Sequence, residues 1–288
     1  MNRTPTASPR GFILAADDYA ITRGVSRAIL TLLEEGHITA TGVMTNRPFW
    51  QEGAKALAAL TGKADLGLHL TLTCGAPLTA MPNLAPGGAL PNLAPLLARC
   101  ITGRLPRAEI AAEITAQLDT FEQAMGTMPD YVDGHQHIHA MPGIRLVLAD
   151  VLAARYPAQK PYLRNAADHI RAITVRGVEM RKALLVSALT RPFAAGMHAR
   201  GFALNDSFSG YSAFDAKRGY AGDFARYLIA PGKRPLIMCH PGHADGELAA
   251  LDPATASREV EFAFFRSAQF RDLCAEAGMM PMRFSQLL

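Results

Sequence analysis

The chain has 288 residues, 49% of them apolar and 19% charged, with a formal net charge of +4 at neutral pH. That is apolar material for a full core, in a length that suits two average domains or one large α/β barrel, and it excludes a disordered chain. Its basic residues are scattered (Arg23, Arg27, Arg99, Arg104, Arg107) and form no stripe for nucleic acid.

Taken in order, residues 1–10 read as a flexible lead-in, and residues 11–288 as one domain without repeat or linker. The apolar run Gly11–Ala16 is a short buried strand, too short for a signal peptide, that ends at Asp17-Asp18-Tyr19. Thr22 caps a helix with Val25, Ile29, Leu32 and Leu33 on one face, stopped by Gly36. Ile38–Met44 is strand-like, Gln51–Leu60 an Ala-rich helix, and Asp65–Leu72 the next strand. Alternation of this kind argues for parallel βαβ units. Cys74–Pro95, rich in Pro and Gly, is too long for an ordinary connection and suits a loop over a site. Pro106–Met125 is a helix with Ile110, Ile114, Leu118, Phe121 and Met125 in one stripe.

Next comes Asp133-Gly-His-Gln-His-Ile-His139, read as an extended strand. Alternate residues of a strand share a face, so Asp133, His135, His137 and His139 would line up on one side. One imidazole in an apolar setting is usually a core residue. Three at period 2, in phase with an Asp, point to a metal or catalytic site. Helix Pro142–Ala154, strand Pro161–Arg164, a mostly helical 167–199, strand Gly201–Leu204 and helix Phe214–Leu228 follow. Pro235–Cys239 is a buried strand delivering His240, Pro253–Ala277 forms one or two helices, and Met280–Phe284 is a last strand.

Polar residues recur where strands end: Asp17 and Asp18, His69, His135–His139, Arg164, Asn205 and Asp206, and His240. In a parallel barrel these ends open on one face, which carries the site. Two adjacent carboxylates after a buried strand call for a cation, although Asp there also suits a helix N-cap. Arg164 suits either a site carboxylate or a surface pair, and His240 either structure or catalysis. The four Cys (74, 100, 239, 274) have no metal-site or disulfide spacing and fit reduced thiols in the cytoplasm. No apolar run is long enough for a membrane span.

Together, Ala16-Asp-Asp-Tyr19, Gly67-Leu-His-Leu70, the Asp133–His139 segment and Cys239-His-Pro-Gly242 resemble the YdjC/ChbG family of carbohydrate deacetylases, distant kin of the NodB polysaccharide deacetylases. The resemblance runs from about Phe12 to Phe265. It implies an α/β fold, a distorted (β/α) barrel of the NodB-like deacetylase type in a single domain. It further implies one divalent metal ion (Mg2+ or Zn2+) on Asp18, His69 and His135, with Asp17 as catalytic base and His240 as general acid. The base should stay ionised and the acid titrate near neutral pH, which gives a bell-shaped profile. Tyr19, Asp133, His137, His139, Arg164 and Asp206 would contact the substrate or orient the ligands. The implied partner is a small N-acetylated sugar, for a cytoplasmic protein that could pair as a homodimer. An amidohydrolase or phosphoesterase barrel, and a non-catalytic sugar- or metal-binding barrel, are the alternative readings.

Overall fold

Short apolar strands alternating with amphipathic helices build one parallel sheet in this protein, whose residues 9–287 are described by a computed structural model. The strands are β1 (Arg10–Tyr19), β2 (Ala40–Val43), β3 (Asp65–Leu70), β4 (Tyr131–Gly134), β5 (Tyr162–Leu163), β6 (Ser207–Ser209), β7 (Pro235–Cys239) and β8 (Met279–Pro281). They lie in the order β5-β4-β3-β2-β1-β7-β6, with β8 added beside β1. All pairings are parallel. The edge strand β5 meets the chain just ahead of β6 through an isolated bridge, Leu163 with Leu204. The sheet is therefore curled into a barrel that closes incompletely, in line with the expected distorted (β/α) barrel.

Side-chain alternation on β1 sets inside and outside. Ile13 and Ala15 point into the barrel with Ala40, Tyr131, Tyr162, Phe208, Leu236 and Met238. Phe12, Leu14 and Ala16 face the helical layer with Val25, Ile29 and Phe265. Below the site the interior is filled by stacked rings, Tyr131 on Tyr162 at 5.0 Å and Tyr162 on Phe284 at 4.0 Å. With that floor, the open end of the barrel is the one at the C-terminal strand ends.

Several expected elements shift. Residues 1–8 of the expected flexible lead-in lie outside the described residues, and Arg10 already belongs to β1. Gly201–Leu204 contributes only the bridge at Leu204, and the strand is Ser207–Ser209, three residues later. The helix expected over Phe214–Leu228 is reduced to Ala221–Tyr227. Phe214 has left-handed backbone (φ 55°), which a helix does not accept. The Cys74–Pro95 loop runs into a helix, Leu93–Thr102. Two carboxylates of helix Arg107–Met125 pin it: buried Glu113 accepts from Leu78 N and from Thr79 N and Oγ1, and Glu109 accepts from Asn83 N and Leu84 N. Among the described residues no helix is long and apolar enough to cross a membrane.

Candidate active site

Strict alternation along β1 would send Asp17 inward and Asp18 outward. Instead the register with β2 slips between Ala16 and Tyr19, and Asp18 takes φ 72°. This bulge turns two consecutive carboxylates toward one site. Tyr19 then falls on the outer face, where it is buried among helix residues and its hydroxyl donates to Gly53 O at 2.9 Å. That corrects its expected contact with substrate.

His69 comes from β3 and Asp133 from β4, paired neighbours in the sheet. Their side chains meet at 2.6 Å, His69 Nδ1 to Asp133 Oδ1. Gly42 on β2 leaves the room: a Cβ there would stand 3.0 Å from His69 Cβ and 3.2 Å from Asp133 Oδ1. With Nδ1 tied, His69 Nε2 points at Asp18 Oδ1 (3.4 Å) and Asp17 Oδ2 (3.9 Å), and it has no hydrogen-bond partner although buried. A carboxylate on one ring nitrogen with the other presented bare is the usual posture of a metal-ligating histidine.

The three histidines do not lie along a strand. β4 stops at Gly134, and His135–Ala140 coils as a 3-10 turn in which Gln136 (φ 55°) and His137 (φ 60°) are left-handed. A coil has no period of 2, so the expected common face of Asp133, His135, His137 and His139 is overturned. His135 alone of the three turns to the carboxylates, with Nδ1 2.9 Å from Asp18 Oδ1. His137 packs edge-on against Phe208 and Tyr211. His139 bonds the Arg164 carbonyl through Nε2 at 2.7 Å and packs on Phe193.

Arg164, fully buried after β5, donates from Nη1 to Asp17 Oδ1 (2.6 Å) and contacts Asp133 Oδ2 (2.9 Å). The site partner, not the surface one, is what this arginine has. His240 leaves β7 with Nε2 3.9 Å from Asp17 Oδ2. Its backbone N–H donates to Glu261 Oε2 at 2.6 Å, and Phe214 packs edge-on against its ring at 5.1 Å. Asp206 takes no part. It precedes β6 instead of following it, and accepts from Lys233 N and Arg234 N at the entry to β7.

Sequence reading missed Arg258 and Glu261. Arg258 donates from Nη2 to Asp18 Oδ2 at 2.6 Å. A signal was present: in helix Ala256–Phe265 both stand at helical spacing with buried Phe265, so charges occupy the apolar stripe.

Asp18, His69 and His135 offer ligand atoms that lie within 4.8 Å of one another, and so do Asp17, His69 and Asp133. The second group fits an ion poorly. Both of its carboxylates already share the Arg164 guanidinium, and His69 has its Nδ1 committed to Asp133. The first group, with one carboxylate oxygen and two imidazoles, fits a divalent ion of zinc type. The side chains of His135 and His240 are 15% and 12% exposed, while the others are sealed at 4% or less, so the cluster opens to solvent past these two rings.

Charge in the ion-free cluster is set by burial and by the arginines. Burial opposes charge on Asp18, but Arg258 and His135 outweigh it and hold the carboxyl well below the usual range. Burial pushes Asp17 up, against Arg164 and His69. For His69, burial disfavours the imidazolium, yet Asp133 and Asp17 raise it to about 10. Burial pushes His240 well below its ordinary value. The last shift runs against the expected near-neutral acid, because burial favours the uncharged ring.

Against burial, Asp133 and Asp17 favour the charged form of the ion-free His69 ring, raising it to about 10, and a metal needs its bare nitrogen. Zn2+ loading at pH 8 is expected to release about one proton per ion, with affinity rising as pH rises toward that value. Calorimetry in buffers of different ionisation enthalpy measures it. Zero release would mean that His69 is not a ligand or is already neutral.

The family model for YdjC-like proteins matches residues 11–276. A carbohydrate deacetylase from Geobacillus stearothermophilus is 33% identical over 278 residues, 96% of this chain and 98% of that protein. A chitooligosaccharide deacetylase from Klebsiella pneumoniae (strain 342) is 27% identical, over 92% of this chain and 99% of its own. Among solved structures, a protein from Enterococcus faecalis V583 named for cellobiose-phosphate cleavage has the same fold. Its TM-score is 0.73 at 21% identity, covering 97% of this chain and 99% of the other.

Proposed function

The chain belongs to the YdjC-like protein family, and on that premise we propose that it is a metal-dependent hydrolase removing N-acetyl groups from an amino sugar or short oligosaccharide. One observation carries the reading: Asp17, held by Arg164, faces His240 across 3.9 Å beside the donor set Asp18, His69 and His135.

Asp18, His69 and His135 would hold one divalent ion, and zinc suits two imidazole nitrogens better than magnesium, which prefers oxygen. Such an ion supplies Lewis acidity for the acetyl carbonyl and acidifies a water. Asp17 would accept the proton of the attacking water. Arg164 fixes the carboxylate so that Oδ2 faces the opening while Oδ1 stays bonded. His240 passes a proton on to the departing nitrogen, since an amide anion is a very poor leaving group. Because burial disfavours the imidazolium, the proton that Asp17 takes from water is the source of the one His240 passes on. His139 holds the Arg164 backbone, and His137 supports the wall behind it. The four free cysteines fit a reducing cytoplasm.

An acetate-release screen over N-acetylated mono- and oligosaccharides, with phosphoesters as controls, tests this. Acetate and free amine are expected in equal amounts, lost on chelation and restored by one equivalent of ion. Phosphate release, or two ions per chain at full activity, would favour the phosphoesterase or amidohydrolase reading instead.

A further inference from the structure

Arg258 reaches the cluster from helix Ala256–Phe265, 240 positions after Asp18. One of its nitrogens, Nη2, serves two carboxylates, Asp18 Oδ2 at 2.6 Å and Asp252 Oδ2 at 2.7 Å. The arginine is fully buried and fixed along its length. Nε donates to Ala254 O at 3.0 Å, and its carbonyl accepts from Gly242 N at 3.1 Å. The packing at Gly242 is close: a Cβ there would stand 3.0 Å from Val25 Cγ2 and 3.2 Å from Arg258 Cδ. The His240-Pro241-Gly242 turn thus rests on the arginine stem.

The two oxygens of Asp18 are thereby divided. Oδ1 faces His135 Nδ1 and His69 Nε2, and Oδ2 belongs to Arg258. A carboxylate with both oxygens free can chelate a divalent ion through both, which uses a position that water or substrate needs. Charge points the same way. Arg258 sets its guanidinium charge against Asp18 and Asp252, as Arg164 does against Asp17 and Asp133, so removing it leaves the cradle more negative.

We infer that Arg258 is a positioning residue that restricts Asp18 to one-oxygen ligation and sets the charge of the metal cradle. It trades affinity for an open, more acidic ion. This rests on the proposed metal set of Asp18, His69 and His135.

The test is Zn2+ affinity of chelator-stripped protein, by competition with a chromophoric chelator, alongside kcat. Arg258→Met frees Oδ2 and adds net negative charge, so Zn2+ should bind about tenfold tighter while kcat falls about hundredfold. Asp252→Asn shifts the charge the other way and should weaken Zn2+ about threefold. Opposite signs from two partners of one contact are not what a merely structural role yields, since loss of packing weakens both. Arg258→Lys keeps the charge and should stay within about threefold of wild type. Weaker or unchanged Zn2+ affinity in a folded Arg258→Met protein would overturn the inference. Should that variant not fold, tightening in Asp252→Asn, or about tenfold tightening in Arg258→Lys, would do so. If wild type takes up no Zn2+, or His69→Ala takes it up equally well, the metal reading itself fails.

Discussion

Asp17→Asn is expected to leave the metal in place and remove nearly all turnover. The amide keeps the shape of the carboxylate and an oxygen that accepts from Arg164 Nη1, so the 2.6 Å contact survives. Lost is the capacity to take a proton from water. Removing a general base costs on the order of 10²–10⁴ in kcat, and the loss here should lie at or beyond the top of that range. One group is asked both to accept the water proton and to feed His240. His240→Ala should cost on the order of 10²–10⁴ with metal and substrate binding kept, because water can protonate the amine in part. Metal content and single-turnover kinetics on any active N-acetyl sugar check both variants. A His240→Ala enzyme near the wild-type rate would move the acid role to another group.

His69→Ala and His135→Ala should abolish divalent binding and, with it, measurable activity. The two differ in what they do to the fold. His135 is on the partly exposed 3-10 turn, so its truncation opens Asp18 Oδ1 to water, which can replace the 2.9 Å contact, and thermal unfolding should fall less than for His69→Ala. His69 is sealed, and removing it leaves Asp133 Oδ1 without its 2.6 Å partner. An unsatisfied buried group costs about 1–3 kcal/mol, more when charged, so His69→Ala should unfold at lower temperature. Full zinc occupancy in the His135→Ala protein, measured by elemental analysis, would refute the assignment of that ligand.

Buried strands such as Pro235–Cys239 were legible because a short apolar run between turn residues has few other uses, and its bounds agree with β7. Strand Gly201–Leu204 was misplaced because Asn205 looked like its end. Asn205 is in fact the connector: its side chain bonds Asn165 N at 2.7 Å and Asn165 O at 2.9 Å across the barrel's gap. The displacement also put Asp206 on the wrong side of the strand, and so in the wrong half of the barrel. The left-handed residues Gln136 and His137 gave no local sign, since neither is Gly.

The sequence by itself determined which chemistry is available: paired carboxylates after β1, an imidazole in β3, a histidine-rich segment after β4, and His240 after β7. Those identities follow from local pattern, and local pattern is what one chain segment can carry. Only the tertiary structure decided how they divide. A one-residue slip beside β2 brings Asp18 to face His69 and sends Tyr19 outward, and a coil selects His135 from three histidines. Arg164 couples Asp17 to Asp133, and Arg258 claims half of Asp18. Contacts between residues more than a hundred positions apart depend on sheet register and helix packing, and neither is written in the spacing of the residues that meet.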